Sequence, residues 1–407
     1  MTVVLLTTVL PRGRRSGGEV VSQSVVAALD SAGRNTRVVG YQRPEDRCST
    51  AAGELSAGRR PIETATAGLH GLAWMARAVA TRAPYSSAKY ESRAYLRAVR
   101  QALGHDATAV IADHAQVHFA IRRGGVDRAG ENRLPLVFIA HNAESCLYGR
   151  LAAAARGPAG RWAYGREARL VRRIEADLAG RARQVWALTA EDADYFRSLQ
   201  PTADVRPLDV ASTMRSEAAA PEYDVALMGR WSWRPNALGL EWLEREVLPR
   251  LPADLTIEVA GGGADWLSGR YSNVAIRGVV PDAQSFLSRA RVVAVPAVTT
   301  SGVQVKTLDA IASGVPVVAT RAGVRGLADL PASVTVADDA GDFADELQRL
   351  ASGEARDSLR AEASAWSNAR RGRFESTVAS WMAEVMSEDD HGHHPSSVGD
   401  GGARRRR

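Results

Sequence analysis

The stretch SGVQVKTLDAIASGVPVVATRAGVRG, residues 301–326, places a lysine between a glycine-containing turn and an apolar segment that ends at a second Ser-Gly pair. Lys306 is one of only two lysines among 52 basic residues, so arginine carries the ordinary surface charge of this chain. A β-branched run precedes the turn and another follows the apolar segment, which is typical of a β-α-β unit in a parallel sheet. The segment therefore predicts an α/β fold with Lys306 at the start of a helix.

The same alternation extends over most of the chain. Apolar β-branched runs between Ala-, Leu- and Arg-rich stretches are typical of strands that are buried on both faces of a parallel sheet. We predict strands at 2–10, 36–42, 108–113, 134–142 and 185–190, and then at 223–229, 255–262, 273–280, 291–297, 316–323 and 333–337. The expected fold is α/β, with two doubly wound, Rossmann-like domains that face a central cleft. Ligands in such sheets bind beyond the carboxyl ends of the strands.

Helices are predicted in the second half at 236–248, 283–290, 303–313, 341–350 and 356–386. The polar stretch TMRSEAAAPE, residues 213–222, interrupts the alternation and is predicted to be a linker. It separates a first domain over 1–212 from a second over 223–370. A carboxyl-terminal helix over 371–387 can pack back on the first domain, and the polar, Gly/Ser-rich residues 388–407 are expected to be disordered.

Composition restricts the class of protein. The 407 residues are 45% hydrophobic and carry a formal charge of +6, which is typical of a soluble protein with an anionic ligand such as a nucleotide or a lipid headgroup. No basic stripe alternates with aromatic residues, so nucleic acid is not expected as a partner. The two cysteines are too few and too far apart for a disulfide scaffold or a zinc site, and no segment reaches membrane-spanning length. We expect a cytoplasmic protein, with peripheral contact to an anionic membrane left open.

The start of the helix at 303–313 combines features of an anion site. Free N–H groups and the positive end of the helix dipole attract negative charge, and Lys306 adds a full positive charge on a flexible stem. Asp309 follows three residues later on the same face. This set fits a nucleotide diphosphate with its ribose, because the cation suits phosphates and the carboxylate suits ribose hydroxyls. An ordinary surface ion pair between Lys306 and Asp309 is the alternative.

A family resemblance supports the first interpretation. IRGVVPDAQSFLSRARVVAVPAVTTSGVQVKTLDAIASGVPVVATRAGVRGL, residues 276–327, closely resembles the donor half of the GT-B glycosyltransferases of family 4, the glycosyl transferases group 1. It is most similar to the subgroup that acts in bacterial polysaccharide and sugar-nucleotide pathways. The similarity continues in VALMGRWSWRPNALGLEWLEREVLP (225–249), IEVAGGGAD (257–265), SGGEVVSQSVVAAL (16–29) and FIAHNAES (138–145), in the family's order.

The resemblance implies a retaining transfer of a sugar from a nucleotide diphosphate donor, without a bound metal or other cofactor. The acceptor would be a glycan, a lipid-linked molecule or a small molecule, bound by the first domain, and the second domain would bind the donor. His141 would hydrogen-bond the sugar near the reaction centre, and Arg230 and Lys306 would hold the diphosphate. The remaining donor-binding positions implied by the family are Gly17, Gly18, Arg234, Arg277, Gly278, Val279, Gly302, Val303, Gln304 and Asp309.

The chain departs from the family pattern at two acidic positions. The family has two glutamates eight residues apart, and here Ser301 and Asp309 stand in their places. The first change removes a carboxylate that would hold a sugar hydroxyl, and the second shortens the side chain that would reach the ribose. The second cation after Arg230 would be Arg234, at a spacing that is not the common one. These changes leave open a degenerate GT-B protein that binds a nucleotide sugar or scaffolds an assembly without catalysis.

Other functions fit less well. A nicotinamide-dependent oxidoreductase would carry GxGxxG directly after a strand, and AGGGADW lacks that spacing. A sugar-nucleotide epimerase would need acid and base carboxylates that the sequence does not indicate. His114 could line the acceptor side or be structural, and the acidic residues at 192 and 194 are expected to be a solvated helix start rather than a metal motif. The histidines of HGHH, 391–394, lie in the predicted tail, which offers a metal no preset geometry.

Overall fold

The computed structural model describes residues 1–12, 16–44, 46, 50–62, 68–126, 134–217, 219–299, 302–352 and 356–387. Within them the chain forms two parallel sheets with helices on both faces. The predictions for Ser301 and for the tail at 388–407 lie outside these residues. No helix in the described ranges is both long and apolar enough to cross a bilayer.

The first sheet has seven strands in the order β3-β2-β1-β4-β5-β6-β7, and every described pairing is parallel. Its strands read as nearly continuous buried runs, as expected when helices cover both faces. They are β1 Thr2–Val9, β2 Asn35–Gln42, β3 Glu54–Arg59, β4 Ala107–Asp113, β5 Leu136–Ala140, β6 Gln184–Ala187 and β7 Val205–Pro207.

The second sheet has six strands in the order β10-β9-β8-β11-β12-β13, again all parallel. In both sheets the first strand along the chain lies near the centre and the order reverses beside it, which opens a crevice at the carboxyl ends. The strands are β8 Tyr223–Met228, β9 Ile257–Ala260, β10 Val274–Gly278, β11 Ala290–Val295, β12 Val317–Ala319 and β13 Val334–Val336.

The helices cover these sheets and bury their apolar sides against them. The first half contains α1 Gly17–Ser31, α2 Leu69–Ala80, α3 Tyr85–Ala88, α4 Arg93–Leu103, α5 His118–Arg123, α6 Glu144–Ala154, α7 Pro158–Arg181 and α8 Ala190–Leu199. The second half contains α9 Arg234–Trp242, α10 Ala283–Ser288, α11 Val305–Ala312, α12 Ala340–Ala351 and α13 Arg356–Ser387.

Helix α13 joins the two halves. It is one continuous helix of 32 residues, close to the predicted helix over 356–386, and it runs through residue 371, where a domain boundary was predicted. Its later apolar side chains, Phe374, Val378, Met382 and Val385, share a buried cluster with strands and helix α1 of the first half. The Arg370 guanidinium donates a 2.7 Å hydrogen bond to the carbonyl of Val210, so α13 also holds the segment that connects the sheets.

The structure corrects several element predictions. Strands β3 and β7 were not predicted, because ELSAGR is polar with a glycine and β7 has only three residues. Helix α9 ends at Trp242, after which 243–247 form wider turns, where one helix over 236–248 was expected. Helix α11 begins at Val305 rather than at residue 303, so Val303 and Gln304 precede it.

Candidate functional site

The carboxyl ends of the two sheets face each other across a cleft. A Cβ atom built on Gly17, at the start of α1, would lie 3.3 Å from Cγ2 of Val305, at the start of α11. Just before α11, Gly302 has φ +67°, and a Cβ there would lie 2.9 Å from the carbonyl oxygen of His141 in the first domain and overlap the Asn142 side chain. Two of the glycines that were predicted from the sequence, Gly17 and Gly302, therefore lie where the two domains are in close contact.

The segment before α11 presents unused donors. Gln304 is its N-cap residue, but the side chain makes no capping bond and instead donates to the carbonyl of Gly302 at 3.3 Å. Among the residues that the structure describes, the backbone N–H groups of Gly302, Val303 and Gln304 find no protein acceptor. Three successive unpaired N–H groups at a helix start form a concave site for an anion.

Lys306 lies beside this site, and its partner is a neutral amide. Its Nζ donates to Oδ1 of Asn236 at 3.1 Å, and Nδ2 of Asn236 donates to the carbonyl of Arg230 at 3.1 Å. No carboxylate of the described residues lies within ion-pair distance of Lys306. Burial lowers the pKa of Lys306 to about 8, because the ammonium is desolvated without a counter-ion. The ion pair with Asp309 that the sequence allowed is therefore absent here.

Asp309 is buried, and its Oδ1 points to the segment that connects the two sheets. That oxygen accepts a 2.5 Å hydrogen bond from Oγ of Ser212, in the segment that links the sheets. The contact explains the residue type, since a buried carboxylate is stable only with hydrogen-bond donors. The interaction with Ser212 thus occupies one oxygen of the group that the resemblance assigns to the ribose.

The other predicted donor residues lie around the end of the second sheet. Arg230 is exposed after β8. Arg234, at the start of α9, pairs with Glu241 at 2.6 Å, and its side chain is 64% exposed. Arg277 of β10 pairs with Glu258 of the neighbouring strand. Gly278, with φ +62°, ends β10, and the exposed Val279 follows it. Asn236 thus connects the Lys306 ammonium to the backbone of Arg230. Arg234 and Arg277 each pair with a carboxylate.

On the first domain, His141 belongs to a buried network with Asp113, at the end of the neighbouring strand β4. Its Nε2 lies 2.5 Å from Oδ1 of Asp113, the last residue of β4, and the other carboxylate oxygen accepts from Ser22 of α1. Burial raises the pKa of Asp113, but the His141 and His114 imidazoles and the hydrogen bonds outweigh it and hold that pKa well below its usual range. An ionised Asp113 fixes the Nε2 proton of His141 and leaves Nδ1 on the side of Gly18.

His114 completes this network. Its ring stacks on His141 with centroids 3.7 Å apart, and its backbone has φ +86°, which is rare for a residue with a side chain. A Cβ on Gly18 would lie 2.9 Å from Cε1 of His114, so only glycine leaves room for the two rings. Burial, followed by the charge of His141, lowers the pKa of His114 to about 3, so this imidazole is neutral at physiological pH.

The same network contains the residues that could hold a metal ion. One ligand atom from each of Asp113, His114 and His141 lies within 4.8 Å of the others. The Asp113 and His141 atoms already share a hydrogen bond, so a metal ion would have to replace that proton. The acidic residues at 192 and 194 are not such a site: Asp192 is bonded to the Thr189 hydroxyl and the Ala143 N–H, and Asp194 pairs with Arg197.

Sequence reasoning missed three residues of these networks, namely Asn236, Asp113 and Ser22. Asn236 had a local signal, because it follows a proline two residues after the start of α9 and so lies in the first turn. Asp113 ends a predicted strand, which is where site residues are expected. Ser22 gave no signal, since a serine inside an amphipathic helix is ordinary.

Comparisons with known proteins agree with this architecture. Residues 222–353 match the model of the family Glycosyl transferases group 1. No curated protein sequence matches the chain.

Three solved structures illustrate the similarity of fold. Sucrose-phosphate synthase from Thermosynechococcus elongatus is 14% identical, with a TM-score of 0.65 over 95% of this chain and 98% of that one. HepE of Anabaena in complex with UDP and glucose is 13% identical, with a TM-score of 0.59 over 95% and 100% of the two chains. WaaG, a glycosyltransferase involved in lipopolysaccharide biosynthesis, is 16% identical, with a TM-score of 0.56 over the same shares. The resemblance to the group 1 glycosyl transferases is thereby confirmed for the second domain, and the chain as a whole has the GT-B fold.

Proposed function

We propose that this protein is a retaining glycosyltransferase of family 4 that moves a sugar from a nucleotide diphosphate donor to a glycan, lipid-linked or small-molecule acceptor, without a metal. The observation that carries the proposal is the Lys306 ammonium, which is partly buried against a neutral amide. It lies beside three backbone N–H groups that have no acceptor among the described residues. A desolvated cation without a counter-ion is unfavourable in the free protein. An anionic ligand such as a diphosphate would supply that counter-ion.

The residues then have distinct roles in the transfer. Negative charge grows on the β-phosphate as the bond to the sugar breaks, and Lys306, Arg230 and the N–H groups of 302–304 would stabilise it there. His141 would contact the sugar, with Asp113 fixing its orientation. The acceptor would attack from the face that the diphosphate leaves, and the departing phosphate would take the acceptor proton, which gives retention of configuration. None of these roles requires a carboxylate nucleophile.

The nucleotide is proposed by analogy and by position. HepE, a protein with the same fold, has been solved with UDP and glucose and with UDP-glucose. Arg277 and Gly278 end β10 and the exposed Val279 follows it, at the edge of the crevice where a base would lie. A uridine diphosphate sugar is therefore the first donor to test. The bacterial, cytoplasmic setting and the role in polysaccharide synthesis remain part of the proposal.

A non-catalytic protein that binds a nucleotide sugar is the second candidate. It is favoured by Asp309, whose Oδ1 is engaged by Ser212 and which is shorter than the family's glutamate. If Asp309 nevertheless holds the ribose, Asp309→Asn should raise the donor Kd about fivefold. Under that condition Ser212→Ala, which frees the carboxylate oxygen, should leave the Kd unchanged or lower it.

The test separates binding from transfer. The full chain is mixed with UDP-, GDP- or dTDP-sugars, and the melting temperature is followed. At about a hundred times its Kd, the right donor should add about 2.7 kcal/mol to the free energy of unfolding. Nuclear magnetic resonance of the sugar then reports hydrolysis or transfer and the anomeric configuration of the product. Binding without turnover on any acceptor would favour the second candidate, and an inverted anomer would contradict the retaining mechanism.

Metal independence is tested in the same assay. Turnover should survive excess EDTA, because Lys306, Arg230 and backbone N–H groups would meet the diphosphate charge. Inactivation that is reversed by Mn²⁺ or Mg²⁺ would contradict this proposal and direct attention to Asp113, His114 and His141.

A further inference from the structure

Large apolar side chains are exposed mainly on one face of the first domain. Four of them, Leu69, Leu72, Met75 and Val79, lie on α2 and are 55–82% exposed. Two more, Trp162 and Tyr164, lie in the first turns of α7 and are 65% and 40% exposed. We call the surface formed by α2 and the first half of α7 the α2–α7 face. A cluster of exposed apolar groups of this kind marks an interaction site, whereas scattered ones do not.

The end of α2 is bonded to α7, which brings Trp162 to the surface that carries the exposed side chains of α2. Tyr164, two residues after Trp162, lies on another side of α7. The guanidinium of Arg166 on α7 donates to the carbonyls of Ala78 and Ala83, at the end of α2 and just beyond it. Trp162 lies one turn before Arg166 on the same side of α7. Within α2 only Trp74 and Ala78 are buried, and the Trp74 ring packs beside Tyr85 at 6.5 Å between centroids. The apolar side chains that remain on α2 have no partner among the described residues.

The charge of this face has one sign. Residues 69–88 and 147–173 contain nine arginines and a single acidic residue, Glu167. Its carboxylate is not available to a partner, because it is buried and accepts hydrogen bonds from the N–H groups of Tyr85 and Ser86. Eight of the nine arginines are exposed, at 77, 82, 150, 156, 161, 169, 172 and 173. An apolar ridge with arginines on its flanks is complementary to a partner that has an apolar interior beneath an anionic outer layer.

We propose that the α2–α7 face docks this protein on an anionic lipid bilayer. An interfacial helix buries its apolar residues at the level of the headgroups, while arginines beside it bind the phosphates and tryptophan takes the interface. Each basic side chain near an anionic surface adds to the attraction. Eight exposed arginines are present in these two ranges, and one of them, Arg77, is paired with the buried Glu91 at 3.0 Å. This surface locates the peripheral membrane contact that the sequence only left open.

The face is connected to the acceptor side of the cleft. Glu167 of α7 holds the start of α3, and the Ser87 hydroxyl of α3 donates 2.8 Å to the carbonyl of Gln116, two residues after His114. A bilayer on this face would therefore lie on the side of the His114–His141 pair. If the proposed transferase function holds, on which this step rests, the acceptor class that fits best is a lipid-linked one.

The test uses the full chain and vesicles. Sedimentation with phosphatidylglycerol–phosphatidylcholine vesicles should give strong binding that falls with added salt, and pure phosphatidylcholine should bind at least about tenfold more weakly. Leu72→Glu with Val79→Glu should weaken binding to the anionic vesicles by about tenfold or more, and so should Arg161→Gln with Arg169→Gln. The changed side chains are exposed, so melting curves should be unaltered. Trp266→Glu, at an exposed tryptophan of the second domain, is the matched control and should bind like the wild type.

Any of the following results would overturn the proposal. Wild-type protein that stays in the supernatant, or the same binding to both vesicle types, would remove the anionic bilayer as the partner. A dimer in sedimentation equilibrium that Leu72→Glu dissociates would assign the face to a second copy of the chain. Donor binding is measured in parallel without lipid, so failure of the membrane proposal and failure of the transferase proposal are told apart.

Discussion

The two sides of the cleft hold their charged groups in opposite ways. On the first domain the Asp113 carboxylate is fully buried, yet both oxygens have partners in His141 and Ser22. On the second domain the Lys306 ammonium is only partly buried, yet its described partner is the neutral side chain of Asn236. The first network is balanced before any ligand arrives, whereas the second carries an excess positive charge.

This difference leads us to expect a different role for each side. A balanced, hydrogen-bonded network keeps an imidazole in one orientation and one tautomer, which suits the positioning of neutral hydroxyls. A cation with no described counter-ion, beside N–H groups with no described acceptor, is stabilised when an anion binds. That stabilisation adds to the free energy of binding the anion. We therefore expect changes at Lys306 to act on the diphosphate and changes at Asp113 to act on the orientation of the sugar.

The largest expected effect comes from removing the unbalanced charge. Lys306→Ala should slow transfer on the order of a hundredfold, or roughly 2–4 kcal/mol of barrier, because one charge-assisted contact to the leaving diphosphate is lost. Lys306→Arg should restore only part of the rate, because a forked guanidinium needs more room than an ammonium. Initial rates against donor concentration measure both. Lys89→Ala, at the chain's other lysine, is the control, and a wild-type rate in Lys306→Ala would mean that the two sides do not differ as described.

Changes in the Asp113–His141 network of the first domain should slow transfer less than the loss of Lys306. Asp113→Asn removes the charge that holds the Nε2 proton of His141, so we expect kcat to fall by roughly thirtyfold, or about 2 kcal/mol, with little change in the donor KM. Ser22→Ala, which removes the other partner of the carboxylate and leaves the bond to His141, should cost less than Asp113→Asn. Steady-state kinetics with melting curves would test this, and a rise in donor KM without loss of kcat would place Asp113 in donor binding instead.

The third prediction concerns pH. Since the pKa of Lys306 is about 8, the ammonium is mostly protonated at pH 7 and mostly neutral at pH 9. If only the protonated form binds the diphosphate, the donor Kd should rise about tenfold between these values. Calorimetric titrations at several pH values measure it. Lys306→Met should bind weakly at every pH, with no such rise, and an unchanged wild-type Kd at pH 9 would contradict the assignment.

The smallest effect is expected at Arg234. Its guanidinium is exposed and already paired with Glu241, and surface pairs of this kind contribute little. Arg234→Ala should therefore change the donor Kd by less than about threefold, although the family resemblance made it a candidate second cation. A loss similar to that of Lys306→Ala would show that Arg234 leaves Glu241 when donor binds, and the second domain would then supply a further cation.

Sequence by itself determined the framework, and it predicts where a donor site would lie. Alternating β-branched runs give two parallel sheets, because such runs can be buried only between layers of helices, and the central strands were found close to their predicted limits. Lys306 was identifiable as a rare lysine at a predicted helix start, and Arg230 through the family resemblance. Each follows a strand and its loop, and the carboxyl ends of parallel strands meet at one edge. The framework and the choice of Lys306 depend on local pattern, and the choice of Arg230 depends on the family resemblance.

Only the tertiary structure decided the partners of these groups. Asp113 reaches Ser22 across 91 residues and His141 across 28, because β1, β4 and β5 lie side by side in the sheet order. Likewise, Lys306 meets Asn236 across 70 residues rather than the nearby Asp309, whose carboxylate is taken by Ser212. Which strands become neighbours depends on the packing of the whole chain. The same packing decides whether a buried side chain bonds to a residue that is near or distant in sequence. A pattern of residue types along the chain cannot contain that information.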